Sequence, residues 1–104
     1  MHKLVVLYPE PTDREAFVSY YEQTHLPLAT KLPGLHSWRY STEISPDAQG
    51  NPGAYFAIFE AEFESVATFR AAMGSPEGQA VAADVPNYAT GGAITLDYEV
   101  SGGN

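Results

Sequence analysis

Leu4-Val5-Val6-Leu7-Tyr8 is apolar at every position, and Pro9 and Pro11 follow at once. A strand of that kind needs cover on both of its faces. Residues 54–63 repeat the demand in part: Tyr55, Ala57, Phe59, Ala61 and Phe63 share one side, while Phe56 and Ile58 occupy the other ahead of Glu60 and Glu62. A layer of helices covers one face of a sheet, so something else has to cover the second.

The remaining punctuation gives the order of the elements. Residues 3–8 read as the first strand. Thr12-Asp13-Arg14-Glu15 has the form of a capping box, with Thr12 at the N-cap, and opens a helix over residues 13–26 whose irregular tail reaches residue 31. Pro33-Gly34 stops it. Residues 35–44 read as a second strand, with Trp38 and Tyr40 on one side and Leu35, Ser37 and Arg39 on the other. Residues 45–53, rich in Pro, Gly, Asn and Asp, form a surface loop, and residues 54–63 the third strand. Ser65 caps a helix to residue 73, and Ser75-Pro76 opens a further helix to about residue 84, before Pro86. Thr90-Gly91-Gly92 breaks the chain ahead of a last alternating strand at residues 93–100, and residues 101–104 read as a frayed tail. The order is β-α-β-β-α-β, the ferredoxin-like α+β arrangement of four antiparallel strands with the helices on one face. Residues 1–104 read as one domain. Two sheets packed face to face in a homodimer, a dimeric α+β barrel, would cover the second apolar face.

Composition narrows the partners. Five basic against thirteen acidic residues give a net charge of −8, which argues against nucleic acid and against an anionic membrane surface. There is no cysteine, hence no disulfide and no thiolate chemistry. No apolar run is long enough to span a bilayer and no leader is evident, so a cytoplasmic protein is expected.

Chemistry concentrates in Tyr20-Tyr21-Glu22-Gln23-Thr24-His25-Leu26-Pro27-Leu28. On a helix, Phe17, Tyr20, Tyr21, Thr24 and Leu28 make an apolar stripe with His25 at its edge. Pro27 lacks an N–H and disfavours helical geometry at Leu26, so the helix is expected to kink or end there, leaving the Gln23 carbonyl without its usual partner. Histidines at 2, 25 and 36 have no metal-ligand spacing, and no metal site or phosphate loop is expected. An imidazole at the edge of an apolar stripe suits acid/base work near neutral pH. The same position also suits a histidine at a helix end with no further role. His36 reads as a surface or interface residue and His2 as incidental.

The segments Lys3-Leu4-Val5-Val6-Leu7-Tyr8, Tyr20-Tyr21 through His25-Leu26-Pro27-Leu28, Leu32-Pro33-Gly34-Leu35, Ser75-Pro76-Glu77-Gly78 with Asp84, and Thr90-Gly91-Gly92 together resemble the EthD family over about residues 3 to 100. The resemblance implies a dimeric α+β barrel. It also implies kinship with enzymes that cyclise, decarboxylate or dehydrate polyketide-like substrates without a cofactor; the family's name comes from a protein associated with ethyl tert-butyl ether breakdown. It maps the histidine of the H-x-P segment to His25, and Tyr21 and Asp84 match its pattern. The expected pocket lies between sheet and helices. His25 is its acid/base, Tyr8, Tyr21, Tyr55, Asp84, Asn87 and Tyr88 are its ligand-binding groups, and a small apolar or aromatic molecule is its ligand, with no cofactor. A non-catalytic binding or accessory protein and a cofactor-free monooxygenase remain alternative functions for the same residues.

Overall fold

The computed structural model describes residues 1–102, so the end of the expected tail, residues 103–104, lies outside the described residues. The elements are β1 (His2–Tyr8), α1 (Arg14–Tyr20), a π-helical turn (Tyr21–His25), α2 (Leu26–Ala29), β2 (Leu35–Ser41), β3 (Ala57–Phe63), α3 (Val66–Gly74), α4 (Pro76–Asp84), a 3-10 turn (Val85–Asn87) and β4 (Ile94–Glu99). The strands form one antiparallel sheet in the order β2-β3-β1-β4, the ferredoxin-like arrangement.

The period-two alternation separates the two faces of the sheet. Leu4, Val6 and Tyr8 of β1 and Ala57, Phe59, Ala61 and Phe63 of β3 are buried and pack with Phe17, Tyr21, Leu26 and Phe69 from the helical layer. Opposite them, the register sets Leu7 between Ile58 and Ile94, and Val5 beside Leu96. Val5 is buried yet stands outside the core cluster, whereas Ile94, Leu96 and Tyr98 are exposed. The same face turns polar toward Lys3, whose Nζ lies 3.1 Å from Glu60 Oε1.

Several local expectations change. The N-cap of α1 is Asp13, whose carboxylate accepts from the Ala16 N–H at 3.0 Å, not Thr12. Thr12 is engaged elsewhere: its backbone N–H donates to Thr90 Oγ1 at 2.9 Å, tying the start of α1 to the turn before β4. A β-bulge between Leu35 and Ser37 shifts the register of β2, so Leu35 pairs with Phe63 and packs on the core with Tyr40 instead of facing away from it. Strands β2 and β3 are also shorter than their sequence pattern, because the polar connection at residues 42–56 is closed by its own bonds; Asp47 Oδ1 accepts from the N–H groups of Gln49 and Asn51. Phe56 therefore precedes β3. Its ring packs edge-on against Phe17 at 5.1 Å, on the helical side, and not on the open face with Ile58.

Ser75 joins α3 to α4. Its hydroxyl accepts from the Gly78 N–H at 3.1 Å, and Pro76 takes the first helical position, where no N–H is needed. The two helices turn so closely that a Cβ on Gly78 would lie 2.3 Å from the Ala72 carbonyl oxygen. This corner sends α4 back over the sheet and delivers its last residue, Asp84, to the end of the π-helical turn.

Candidate active site

Pro27 organises the site through the backbone. It has no N–H to continue the α-helical ladder. The turn before it widens, and the Leu26 N–H bonds to the Tyr21 carbonyl, five residues back. Of the two outcomes expected at Pro27, a kink or an end, the helix does not end: it resumes as α2 and stops at Ala29, short of the irregular tail expected to residue 31. In an α-helix, residues five apart diverge; in the widened turn they approach each other. Tyr20 and His25 thus reach the same carboxylate.

That carboxylate is Asp84, at the end of α4. Its Oδ2 lies 3.0 Å from His25 Nδ1. Its Oδ1 accepts from the Tyr20 hydroxyl at 2.6 Å and from Asn87 Nδ2 at 3.0 Å, the latter placed three residues on by the 3-10 turn. Burial opposes ionisation of Asp84, but the donors Tyr20, Asn87 and His25 outweigh it and hold the carboxyl below its ordinary range. His25 is 3% exposed. Burial lowers its pKa, and the opposing pull of Asp84 does not restore it, so the imidazole is neutral at pH 7. A neutral ring facing an ionised carboxylate carries its proton on Nδ1 and donates it to Asp84. Nε2 then keeps a lone pair.

Aromatic rings fix the imidazole in place. Tyr21 stacks on it at 5.4 Å and Tyr88 lies 4.5 Å away. The Tyr8 and Tyr88 hydroxyls are 2.7 Å apart, and the buried Tyr21 hydroxyl has no hydrogen-bond partner among the described residues. His25 and Tyr8 both line a cavity of about 370 Å³ between the sheet and the helices. Its walls are mainly apolar, with Leu4, Val6, Leu32, Phe59, Phe69 and Met73 prominent. Its mouth lies between α4 and β4, where the lining residues Ala82, Ala93, Thr95 and Asp97 are exposed.

Of the residues expected at the site, the structure brings together His25, Tyr8, Tyr21, Asp84, Asn87 and Tyr88. Tyr55 is elsewhere: it lines a separate surface groove with Glu10, Arg14 and Ile44, because the chain has not yet entered β3 at that point. Tyr20, taken from sequence only as part of the apolar stripe, proves to be a direct partner of Asp84. His2, read as incidental, is 5% exposed and bonds through Nε2 to Asp97 Oδ2 at 2.8 Å. The β1–β4 pairing, which sequence proximity does not reveal, makes that contact. His36 is exposed. Among the described residues no group of three or more His, Asp or Glu side chains is arranged to hold a metal ion, and no helix is long and apolar enough to cross a membrane.

Comparison with known proteins agrees with this architecture. A protein of Bacillus halodurans described as an ethyl tert-butyl ether d (ethd) family protein has a similar structure, with a TM-score of 0.89 and 29% identity over 97% of this chain and 99% of that one. Two more distant structures share the fold. One is a dimeric ferredoxin-like protein of Thermobifida fusca (TM-score 0.72, 16% identity, covering 95% of this chain and 90% of that one). The other is the hydroxynitrile lyase of Passiflora edulis (TM-score 0.75, 19% identity, covering 96% and 93%). In sequence, the chain is 36% identical over 96 residues to the "Uncharacterized 11.0 kDa protein in thcB-thcC intergenic region" of Rhodococcus erythropolis, spanning 92% of this chain and 91% of that protein. The EthD domain matches residues 9–92, and with that span and these relatives the chain belongs to the EthD family.

Proposed function

We propose that the protein is a cofactor-independent proton-transfer catalyst for a small apolar molecule held in the cavity, with His25 as the base and Asp84 as the residue that orients it. The observation carrying this reading is the 3.0 Å bond between His25 Nδ1 and Asp84 Oδ2 at the wall of an apolar cavity. It commits one ring nitrogen to the protein and leaves the other for a ligand. A base of lowered pKa stays unprotonated at neutral pH, and excluding water from its surroundings strengthens its interactions with a bound molecule. Tyr20 and Asn87 support the carboxylate from behind, so the pair is held from two helices. The fold is compatible with such a role, since a hydroxynitrile lyase is built on it.

The protein is further proposed to act as a two-fold dimer. Leu7, Ile58, Ile94 and Leu96 form an apolar surface that the helical layer does not touch, and a second sheet is the surface that fits it.

Hydrogen–deuterium exchange at the acidic carbon of 2-tetralone in D2O, followed by NMR, tests the catalytic reading. The expected result is exchange above the buffer rate with the wild type and its loss in both His25→Ala and His25→Asn, with His25→Asn still binding. An amide forms hydrogen bonds but is not a base near neutral pH. Binding without exchange in the wild type would instead identify a carrier.

A further inference from the structure

Three buried tyrosines pack beside His25, and proton transfer by His25 alone gives them no task. Tyr8, Tyr21 and Tyr88 are 1%, 1% and 3% exposed. Their rings pack mutually, with Tyr8 5.5 Å from both Tyr21 and Tyr88 and the latter two 5.2 Å apart. Of the three, only Tyr8 lines the cavity. Each hydroxyl has one proton to give and two lone pairs to receive. The 2.7 Å contact between Tyr8 and Tyr88 uses one proton and one lone pair. The Tyr21 hydroxyl is buried without a partner among the described residues, a state that costs free energy.

Either oxygen can donate in that Tyr8–Tyr88 contact. When Tyr88 donates to the Tyr8 oxygen, the Tyr8 proton is left for the cavity. Building on the proton-transfer reading, we propose that Tyr8 is a catalytic residue that donates its hydroxyl proton to a carbonyl oxygen of the ligand, with Tyr88 as the positioning residue behind it. The substrate class is then a small apolar carbon acid whose acidic C–H adjoins a carbonyl.

The step balances without another reactant. His25 Nε2 takes the proton from carbon. The C–H electron pair becomes the C=C bond of an enolate, and the carbonyl π pair moves to oxygen, where the Tyr8 hydroxyl meets the new charge. The proton returns from His25 to carbon or to oxygen. Donors preorganised toward developing oxyanion charge in a site shielded from water are among the strongest contributors to such reactions. Burial above all keeps all three phenols protonated, as the scheme requires, and the neighbouring hydroxyls raise Tyr21 and Tyr88 further while opposing the rise at Tyr8. A donor on the Tyr8 oxygen also makes its own proton a better donor.

Two probes of nearly equal shape separate this role from cavity binding in general: 4-nitrophenol, whose phenolate oxygen mimics the enolate, and nitrobenzene, which lacks that oxygen. The expected result is that Tyr8→Phe weakens 4-nitrophenol about ten- to hundredfold and shifts its bound absorption band, while nitrobenzene affinity stays at the wild-type value. Tyr88→Phe should give a smaller loss confined to 4-nitrophenol. Tyr21→Phe should keep or raise the Tm, since it removes an unpartnered buried hydroxyl. Equal losses for both probes in Tyr8→Phe, or no loss for 4-nitrophenol, would overturn the proposal while leaving His25 as a base intact. A wild type that binds neither probe would overturn the cavity reading and this proposal together. The catalytic reading fails separately if wild-type exchange of 2-tetralone persists in His25→Asn.

Discussion

Asp84→Asn should lower proton transfer by about 10²–10⁴ while leaving the fold intact. The substituted side chain has nearly the same shape, and its carbonyl oxygen can still accept from Tyr20 and Asn87, the two donors now on Oδ1. Its amide nitrogen would then face His25 Nδ1, where Asp84 Oδ2 accepts today at 3.0 Å. Two donors cannot share that bond. The imidazole would adopt the other tautomer, with Nδ1 accepting and the proton on Nε2, and the lone pair that serves the cavity would be gone. Ligand affinity should change far less than turnover, because no group lining the cavity is removed. The check is the exchange rate set beside probe affinity and circular dichroism of the same variant. A variant that exchanges at the wild-type rate would show that Asp84 does no more than join α4 to the π-helical turn.

Ile58→Asp should turn the proposed dimer into a monomer at micromolar concentration, whereas Phe56→Asp should unfold the protomer. The two residues are neighbours in sequence but lie on opposite sides. Ile58 pairs with Leu7 on the face that the helices leave open, and a carboxylate there would be buried unpaired against the second sheet. Phe56 packs on Phe17, with the Arg14 guanidinium 5.4 Å from its ring centre, so a carboxylate there breaks into the core of a single subunit. Sedimentation equilibrium with circular dichroism distinguishes the outcomes. A folded dimer of Ile58→Asp would place the interface elsewhere.

The contrast between those two residues shows where the sequence was legible. The unbroken apolar run of β1, the partial alternation of β3, the serines before α3 and α4 and the Pro33-Gly34 stop are local signals, and they carry the element order and the ferredoxin-like fold. Phe56 was misplaced because alternation was extended through a connection whose turn ends only where the Phe56 N–H meets the Tyr8 carbonyl, at 2.7 Å. The bulge at His36 inverted Leu35 for a similar reason: one extra residue swaps the faces before it. At the site, residue type and the nearby Pro27 made His25 a candidate without separating it from a histidine at a helix end with no further role, and the acid/base role came with the family resemblance. Tyr20 was missed as a partner of Asp84 because helical periodicity sets residues five apart on different sides, and the widened turn cancels that separation. Pro27, two residues after His25, was the available sign of it. His2 could not be read at all, since its partner Asp97 lies 95 residues away and is reached only through strand pairing.

In the proposed mechanism His25 presents an unprotonated Nε2 to the cavity, with its proton on Nδ1 shared with Asp84. Titration of the ring nitrogens by ¹⁵N NMR tests it directly. The expected result is a neutral imidazole at pH 7 with the proton on Nδ1, titrating below the ordinary histidine value of about 6.5 because burial disfavours the cation more than Asp84 supports it. The sign extends to stability. A histidine pKa lowered by folding leaves its contribution fully present above about pH 6.5 and lost as the pH falls through the folded value. Asp84, also lowered, acts in the same direction at more acid pH. A ring protonated at pH 7, or a neutral ring with its proton on Nε2, would rule out His25 as the base, since neither form offers the cavity a lone pair.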